Sequence, residues 1–271
     1  MIRPSQNLFS KKVYQKGVRL LSGFNSRLPY LPLSLINFLF AAATPATMLV
    51  TAAEFDALLQ NNSLRITMIG MSNVGKTKRA KSLVADSALN FLWVCCDDLV
   101  EAKLKPFLEG KGFKGVDGVA AWMGQPYEQR YPETQSLFLK FEEEVMAEID
   151  YQGSKNIIID TTGSVIYLSA KALRQLRGSA LIVYLEASED IKKFLFERYM
   201  SNPKPVVWGG SFSKKTGESD MEALKRCYPQ LLEFRAAKYA ELADLTIPYL
   251  ALRDTSGKQF LDEVRKRLPS S

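Results

Sequence analysis

A chain of 271 residues is long enough to bury a full core. It has no histidine and three cysteines, Cys95, Cys96 and Cys227, none at metal-ligand spacing, which excludes histidine-dependent catalysis, most zinc sites and a disulfide framework. The net charge of +7 does not mark a nucleic-acid groove: six of the 36 basic residues precede the first acid, Glu54, and the remaining 30 face 29 acidic residues.

Those six are Arg3, Lys11, Lys12, Lys16, Arg19 and Arg27, and residues 28–53 carry no charge at all. Pro29, Pro32 and Pro45 argue against a spanning helix, and the length of the basic stretch argues against a secretory signal. Residues 1–47 read as a transit-like leader or as an over-long start ahead of Met48, outside the fold in either case. Residues 48–271 are expected to form one domain with no stable membrane insertion. An odd cysteine count fits a reducing compartment: the cytoplasm or, with a transit peptide, an organelle stroma or matrix.

In chain order, 54–60 predicts a short helix and Asn61-Asn-Ser63 a break. Ile66, Met68 and Ile69 predict a buried strand. Gly70, Gly75, Lys76 and Thr77 then match the G-x-x-x-x-G-K-[ST] pattern of a phosphate-binding loop, and 78–84 continues as a helix, the context that pattern requires. The two glycines permit backbone angles closed to other residues, so successive N–H groups face one concavity at a helix N-terminus. Gly70, Ser72, Asn73, Val74, Gly75, Lys76, Thr77 and Lys78 form the expected nucleotide-binding set. Lys76 can reach the β/γ-phosphates and the Thr77 hydroxyl can ligate Mg²⁺.

A second strand over 91–96 ends in Asp97-Asp98, the end of an α/β sheet at which ligands gather. Each acid is a candidate for Mg²⁺, for the base that takes a hydroxyl proton, for a hydroxyl anchor, or for a helix cap. Residues 110–118 read as a glycine-rich loop and 119–122 as the start of a helix. A helix over 133–149 follows, with Leu137, Phe141, Val145 and Ile149 on its buried face. The strand 156–160 ends in Asp160, a second metal-side carboxylate or a cap for a helix near 168–176, beside the tight turn Thr161-Thr-Gly-Ser164. A fourth strand spans 180–185 and a helix 189–200. The stretch 201–220, rich in Gly, Pro, Ser and Lys, reads as an active-site lid or a solvated loop. A long helix over 221–243, a strand over 245–249 and a helix over 260–268 close the chain. Alternation of this kind predicts an α/β fold, a parallel sheet covered on both faces.

Over residues 64–250 the chain resembles the shikimate kinase family of small phosphate-loop kinases. The resemblance is carried by Gly70 to Thr77, by the strand ending in Asp97 with Val100-Glu101 behind it, and by Thr161 to Val165. The strand 181–185, Lys204-Pro205, Arg235-Ala-Ala-Lys-Tyr239 and Ala243-Asp244 complete it. It implies a three-layer αβα fold with five parallel strands in the order 2-3-1-4-5 and a lid. It also implies that Asp97 holds the substrate hydroxyls, that Gly163 belongs to the substrate-side turn, that Arg235 grips a carboxylate and that Lys204 closes over the γ-phosphate. Four departures stand out: Cys95 replaces the first acid of the family's Asp-x-Asp pair, Thr161-Thr162 replace two of its three glycines, Lys204 replaces its lid arginine, and its second substrate arginine has no clean counterpart, the nearest being Arg130.

The combined expectation is an ATP- and Mg²⁺-dependent kinase, monomeric, that phosphorylates a hydroxyl of shikimate or a similar carboxylated metabolite. Lys76, Asp97 and Lys204 are the catalytic set, Asp97, Gly163 and Arg235 the substrate set, and Thr77, Asp98 and Asp160 the metal side. The alternatives are a kinase of another hydroxy acid or polyol, and a nucleotide-binding protein without catalysis.

Overall fold

The computed structural model describes residues 50–271 other than 111, 203–205 and 271, so the expected leader and Lys204 lie outside the described residues. The described chain runs α1 (Ala52–Gln60), β1 (Arg65–Ile69), α2 (Lys76–Ala85), β2 (Phe91–Cys95), α3 (Cys96–Leu108), α4 (Gly115–Met123), α5 (Tyr131–Glu148) and β3 (Asn156–Asp160). It continues through α6 (Ala170–Ser179), β4 (Leu181–Glu186), α7 (Glu189–Ser201), α8 (Asp220–Leu242), β5 (Leu245–Pro248), α9 (Tyr249–Leu252) and α10 (Gly257–Lys266). No helix among the described residues is long and apolar enough to cross a membrane.

The five strands are all parallel, in the order β2-β3-β1-β4-β5 that the resemblance implied. The three central strands carry Ile66, Met68, Ile69, Ile157, Ile158, Ile159 and 181–185 with almost no exposure. Continuous apolar runs are what a sheet covered on both faces requires. Asn156 ties the sheet's lower edge together: its Oδ1 accepts from Leu64 N (2.9 Å), and its Nδ2 donates to Leu59 O (3.1 Å) and Leu89 O (2.9 Å). At the other edge, the register pairs Asp160 with both Met68 and Cys95. This places the carboxyl ends of β1, β2 and β3 side by side, at the point where the strand order reverses around β1.

Three expectations are corrected. Cys96 opens α3 and does not end β2, so the two acids follow the strand with no loop and occupy the first helical turn. Gly118 lies inside α4, where a Cβ would stand 2.7 Å from the Phe113 carbonyl carbon, so this glycine serves close packing and not a loop. The buried face of α5 is Tyr131, Phe138, Glu142, Val145 and Met146, whereas Leu137, Phe141 and Ile149 pack at the margin of the core. Of the expected stripe only Val145 lies at its centre, and a glutamate shares that face. The stretch 206–219 contains no regular element.

Candidate active site

Gly70 leaves β1 at φ +141°, and a Cβ there would meet the Leu185 carbonyl oxygen at 2.6 Å. Only glycine fits both the angle and the space. Asn73 (φ 64°) and Gly75 (φ 89°) turn the chain back into α2. Val74 is fully buried and fastens the loop to the core, while Ser72, Asn73, Thr77 and Lys78 face solvent. The Lys76 ammonium is drawn inward, donating to Gly70 O (3.0 Å) and Met71 O (3.2 Å). Burial lowers its pKa, and Asp160 and Asp97 pull against that. A cradle of this shape offers N–H groups, a helix N-terminus and one ammonium to a polyphosphate.

Thr77 Oγ1 donates to Asp160 Oδ2 at 2.7 Å. A hydroxyl and a carboxylate in contact, both hard oxygen donors, suit Mg²⁺ that takes its remaining ligands from phosphate and water. Among the described residues no group of three or more acids, thiols or imidazoles could hold a metal by itself. Asp160 is raised by burial, with Lys76 and the Thr77 hydroxyl opposing the shift. Asp98 is exposed on the first turn of α3. It borders a different cavity, yet it stands close enough for its charge to raise both Asp160 and Asp97.

Asp97 points the other way. It shares one cavity of about 110 Å³ with Ser72, Thr162, Gly163, Ser164 and Arg235. Burial pushes its pKa up to about 6, against the pull of Lys76 and with a further push from Asp160 and Asp98. A carboxylate at this value holds or releases a proton near neutrality, as an acceptor of a hydroxyl proton should.

Arg235 and Tyr239 sit one turn apart on α8, both inside the protein. The Tyr239 hydroxyl donates to Gly163 O, which holds the turn after β3 against the helix. One Arg235 amino group donates to Val207 O, and the guanidinium carbon lies 5.7 Å from the Tyr167 ring centre. The Arg235 Nε is buried with no hydrogen-bond partner. Arg235 makes no ion pair among the described residues. A buried guanidinium without a carboxylate partner suits an anionic group.

Glu142 is the residue that sequence reasoning missed. It is 1% exposed and accepts hydrogen bonds from the hydroxyls of Thr162 and Ser164, the latter at 2.7 Å. Those two hydroxyls also touch each other at 2.9 Å, and Ser164 N donates to Thr162 Oγ1 at 3.1 Å. Burial raises Glu142 to about 7, despite the stabilising hydroxyls. The signal was present as a single acid interrupting the apolar phase Phe138, Glu142, Val145, Met146. The structure thus unites Asp97, Gly163 and Arg235, and separately Thr77 and Asp160. Arg130 joins neither group, since it pairs with Glu128 at 2.9 Å on the surface. Cys95 and Cys96 are free thiols, and burial pushes the Cys95 pKa up to about 12, which removes it as a nucleophile.

No protein-family model matches the chain, and no curated protein matches it. Among solved structures it is similar to the shikimate kinase from Acinetobacter baumannii in complex with shikimate, at 19% identity, over 78% of this chain and 94% of that chain, with TM-score 0.49. It is similar to the shikimate kinase from Bacteroides thetaiotaomicron at 19% identity, over 75% and 97% of the two chains, with TM-score 0.48. The tunicamycin resistance protein of Deinococcus radiodurans follows at 15% identity, over 77% and 97%, with TM-score 0.37.

Proposed function

We propose that this protein is an ATP- and Mg²⁺-dependent small-molecule kinase that phosphorylates a hydroxyl of a small carboxylated metabolite, of which shikimate is the one that the resemblance implies. The observation that supports it most is one cavity lined by Ser72 of the phosphate loop, by Asp97 and by Arg235. A proton acceptor and an anion receptor thereby flank the place where the γ-phosphate would enter.

Backbone N–H groups of 70–77 bind the phosphates, and Lys76 leaves its carbonyl partners to neutralise the β/γ oxygens. The Thr77 hydroxyl and Asp160 would hold Mg²⁺, which would supply further charge neutralisation to the phosphates. Arg235 fixes the acceptor carboxylate by charge-assisted hydrogen bonds, which orients the hydroxyl toward Asp97. Asp97 takes the hydroxyl proton as the new P–O bond forms and the bond to the β–γ bridging oxygen of ATP breaks, releasing ADP. Lys204, outside the described residues, is the candidate to neutralise the γ-phosphate, and Asp98 is assigned to the outer edge of the metal side.

The test is formation of phosphorylated shikimate from Mg·ATP by the full chain, read by mass spectrometry. Product that disappears with Lys76→Ala supports the reading. Bound nucleotide with no transfer to shikimate or to any other hydroxy acid would move the assignment to nucleotide binding without catalysis.

A further inference from the structure

We infer that the acceptor is a short aliphatic monohydroxy carboxylate and not a polyhydroxylated ring, an inference that rests on the phosphotransfer reading above. It comes from how few free polar groups the cavity offers. Its walls are Val100, Val116, Val119, Met123, Phe138 and Val207, contributed by α3, α4, α5 and the stretch after residue 205. Against these stand two charged groups with unspent hydrogen-bonding capacity: Asp97, which accepts no hydrogen bond among the described residues, and Arg235, whose buried Nε donates to nothing. One carboxylate answers Arg235, and a single hydroxyl is enough to answer Asp97.

The remaining polar side chains deeper in the cavity are already committed. With Glu142 ionised, both hydroxyl protons of Thr162 and Ser164 go to it, so neither is free to donate to a ligand. The Gly163 carbonyl accepts from Tyr239, and the Val207 carbonyl accepts from Arg235 itself. A second or third ring hydroxyl would have only Ser72, the second Asp97 oxygen and the acceptor sides of Thr162 and Ser164 to turn to, and elsewhere would lie against valine, methionine or phenylalanine. Leaving a buried hydroxyl unpaired lowers affinity by roughly tenfold to a hundredfold. Size points the same way. The part of the ligand taken inside is limited: the cavity is open on one side and holds about 110 Å³, less than the roughly 150 Å³ of a closed cavity that holds a benzene ring. It suits a body of about three to five carbons, with the carboxylate on Arg235 and the hydroxyl on Asp97. In transfer, the acceptor oxygen bonds to the γ-phosphorus, its proton passes to Asp97 and ADP leaves.

The experiment gives the full chain Mg·ATP with shikimate and with 3-hydroxybutanoate, 3-hydroxy-3-methylbutanoate, 4-hydroxybutanoate and 2-hydroxy-3-methylbutanoate in parallel. Phosphate esters are identified by mass spectrometry, and binding is followed by saturation-transfer NMR in the presence of Mg·ADP. The expected result is kcat/KM at least tenfold higher for one of the aliphatic acids than for shikimate, with the ratio falling when Val119→Asn makes the wall polar. Shikimate surpassing every aliphatic acid overturns the inference and leaves the kinase reading intact. Aliphatic acids that bind but are never phosphorylated support the ligand class and overturn the kinase reading. If the acids neither bind nor react while Mg·ADP binds, the acceptor class is wrong. Absence of Mg·ADP binding overturns the phosphate-loop reading itself, and this inference with it.

Discussion

Replacing Glu142 with glutamine should make the protein's stability less dependent on pH. Burial lifts the carboxyl from an ordinary 4.5 to about 7 in the folded chain, even with Thr162 and Ser164 donating to it. A carboxyl whose folded pKa is raised binds its proton more tightly when folded. Its contribution is therefore complete below about pH 4.5 and is lost as pH rises through 7. At roughly 1.4 kcal/mol per pH unit, the whole effect is about 3 kcal/mol, of which roughly 2 to 3 kcal/mol falls between pH 5 and pH 8. The Glu142→Gln amide oxygen can still accept from one hydroxyl, and its NH₂ can donate to the other oxygen, so the cluster stays satisfied without a charge. The assay is urea unfolding of both proteins at pH 5, 6, 7 and 8. With a slope near 2 to 3 kcal/mol per molar, the wild-type midpoint should fall by about 1 M relative to Glu142→Gln across that range. Asp97 also titrates there, but it is present in both proteins and largely cancels in the comparison. Midpoints that stay parallel from pH 5 to pH 8 would falsify the claim that Glu142 is a desolvated carboxyl.

Lys76→Ala should lower turnover by roughly a hundredfold to a thousandfold, as loss of one preorganised donor at the transferring group does. Thermal unfolding separates this from misfolding, and full activity in the variant would refute the phosphate-loop assignment. For Asp97, raised to about 6, kcat/KM should climb with pH through that value as the proton leaves and a base appears. Asp97→Asn should flatten this acid limb, and an unchanged profile would show that another group accepts the proton. Arg235→Ala should raise KM for a carboxylated acceptor by about ten- to a hundredfold, the worth of a charged hydrogen bond. The KM for a matching alcohol without the carboxylate should change little, and equal losses on both would mean that Arg235 acts by holding Val207 and not by holding substrate.

What was legible in the sequence follows from which constraints act locally. The loop 70–77 could be read because a turn at φ +141° within 2.6 Å of a neighbouring carbonyl oxygen tolerates no side chain, so spacing alone reveals it. The strand 156–160 was read to its ends because a run buried on both faces has no polar interruptions. Gly118 was misread as loop because its requirement is set by Phe113 across a turn, and no local pattern records that contact. The face of α5 was misread for a related reason. Periodicity assigns glutamate to solvent, and only a partner distant in sequence can reverse that assignment.

That partner gives the altered turn after β3 its physical sense. Taken singly, Thr161 and Thr162 look like intrusions into a space that a glycine run would leave open, and Glu142 looks like a surface charge. In the structure Thr161 Oγ1 turns back to Met68 O at 2.8 Å and extends the pairing of β3 with β1. The hydroxyls of Thr162 and Ser164 donate to Glu142, which would otherwise be an unpaired buried acid. The hydroxyls and the carboxylate are therefore one unit. Removing the hydroxyls alone would strand the glutamate, and removing the glutamate alone would free two donors beside the acceptor. The same unit keeps this side of the cavity short of free donors, which under the proposed kinase reading leaves acceptor recognition chiefly to Asp97 and Arg235.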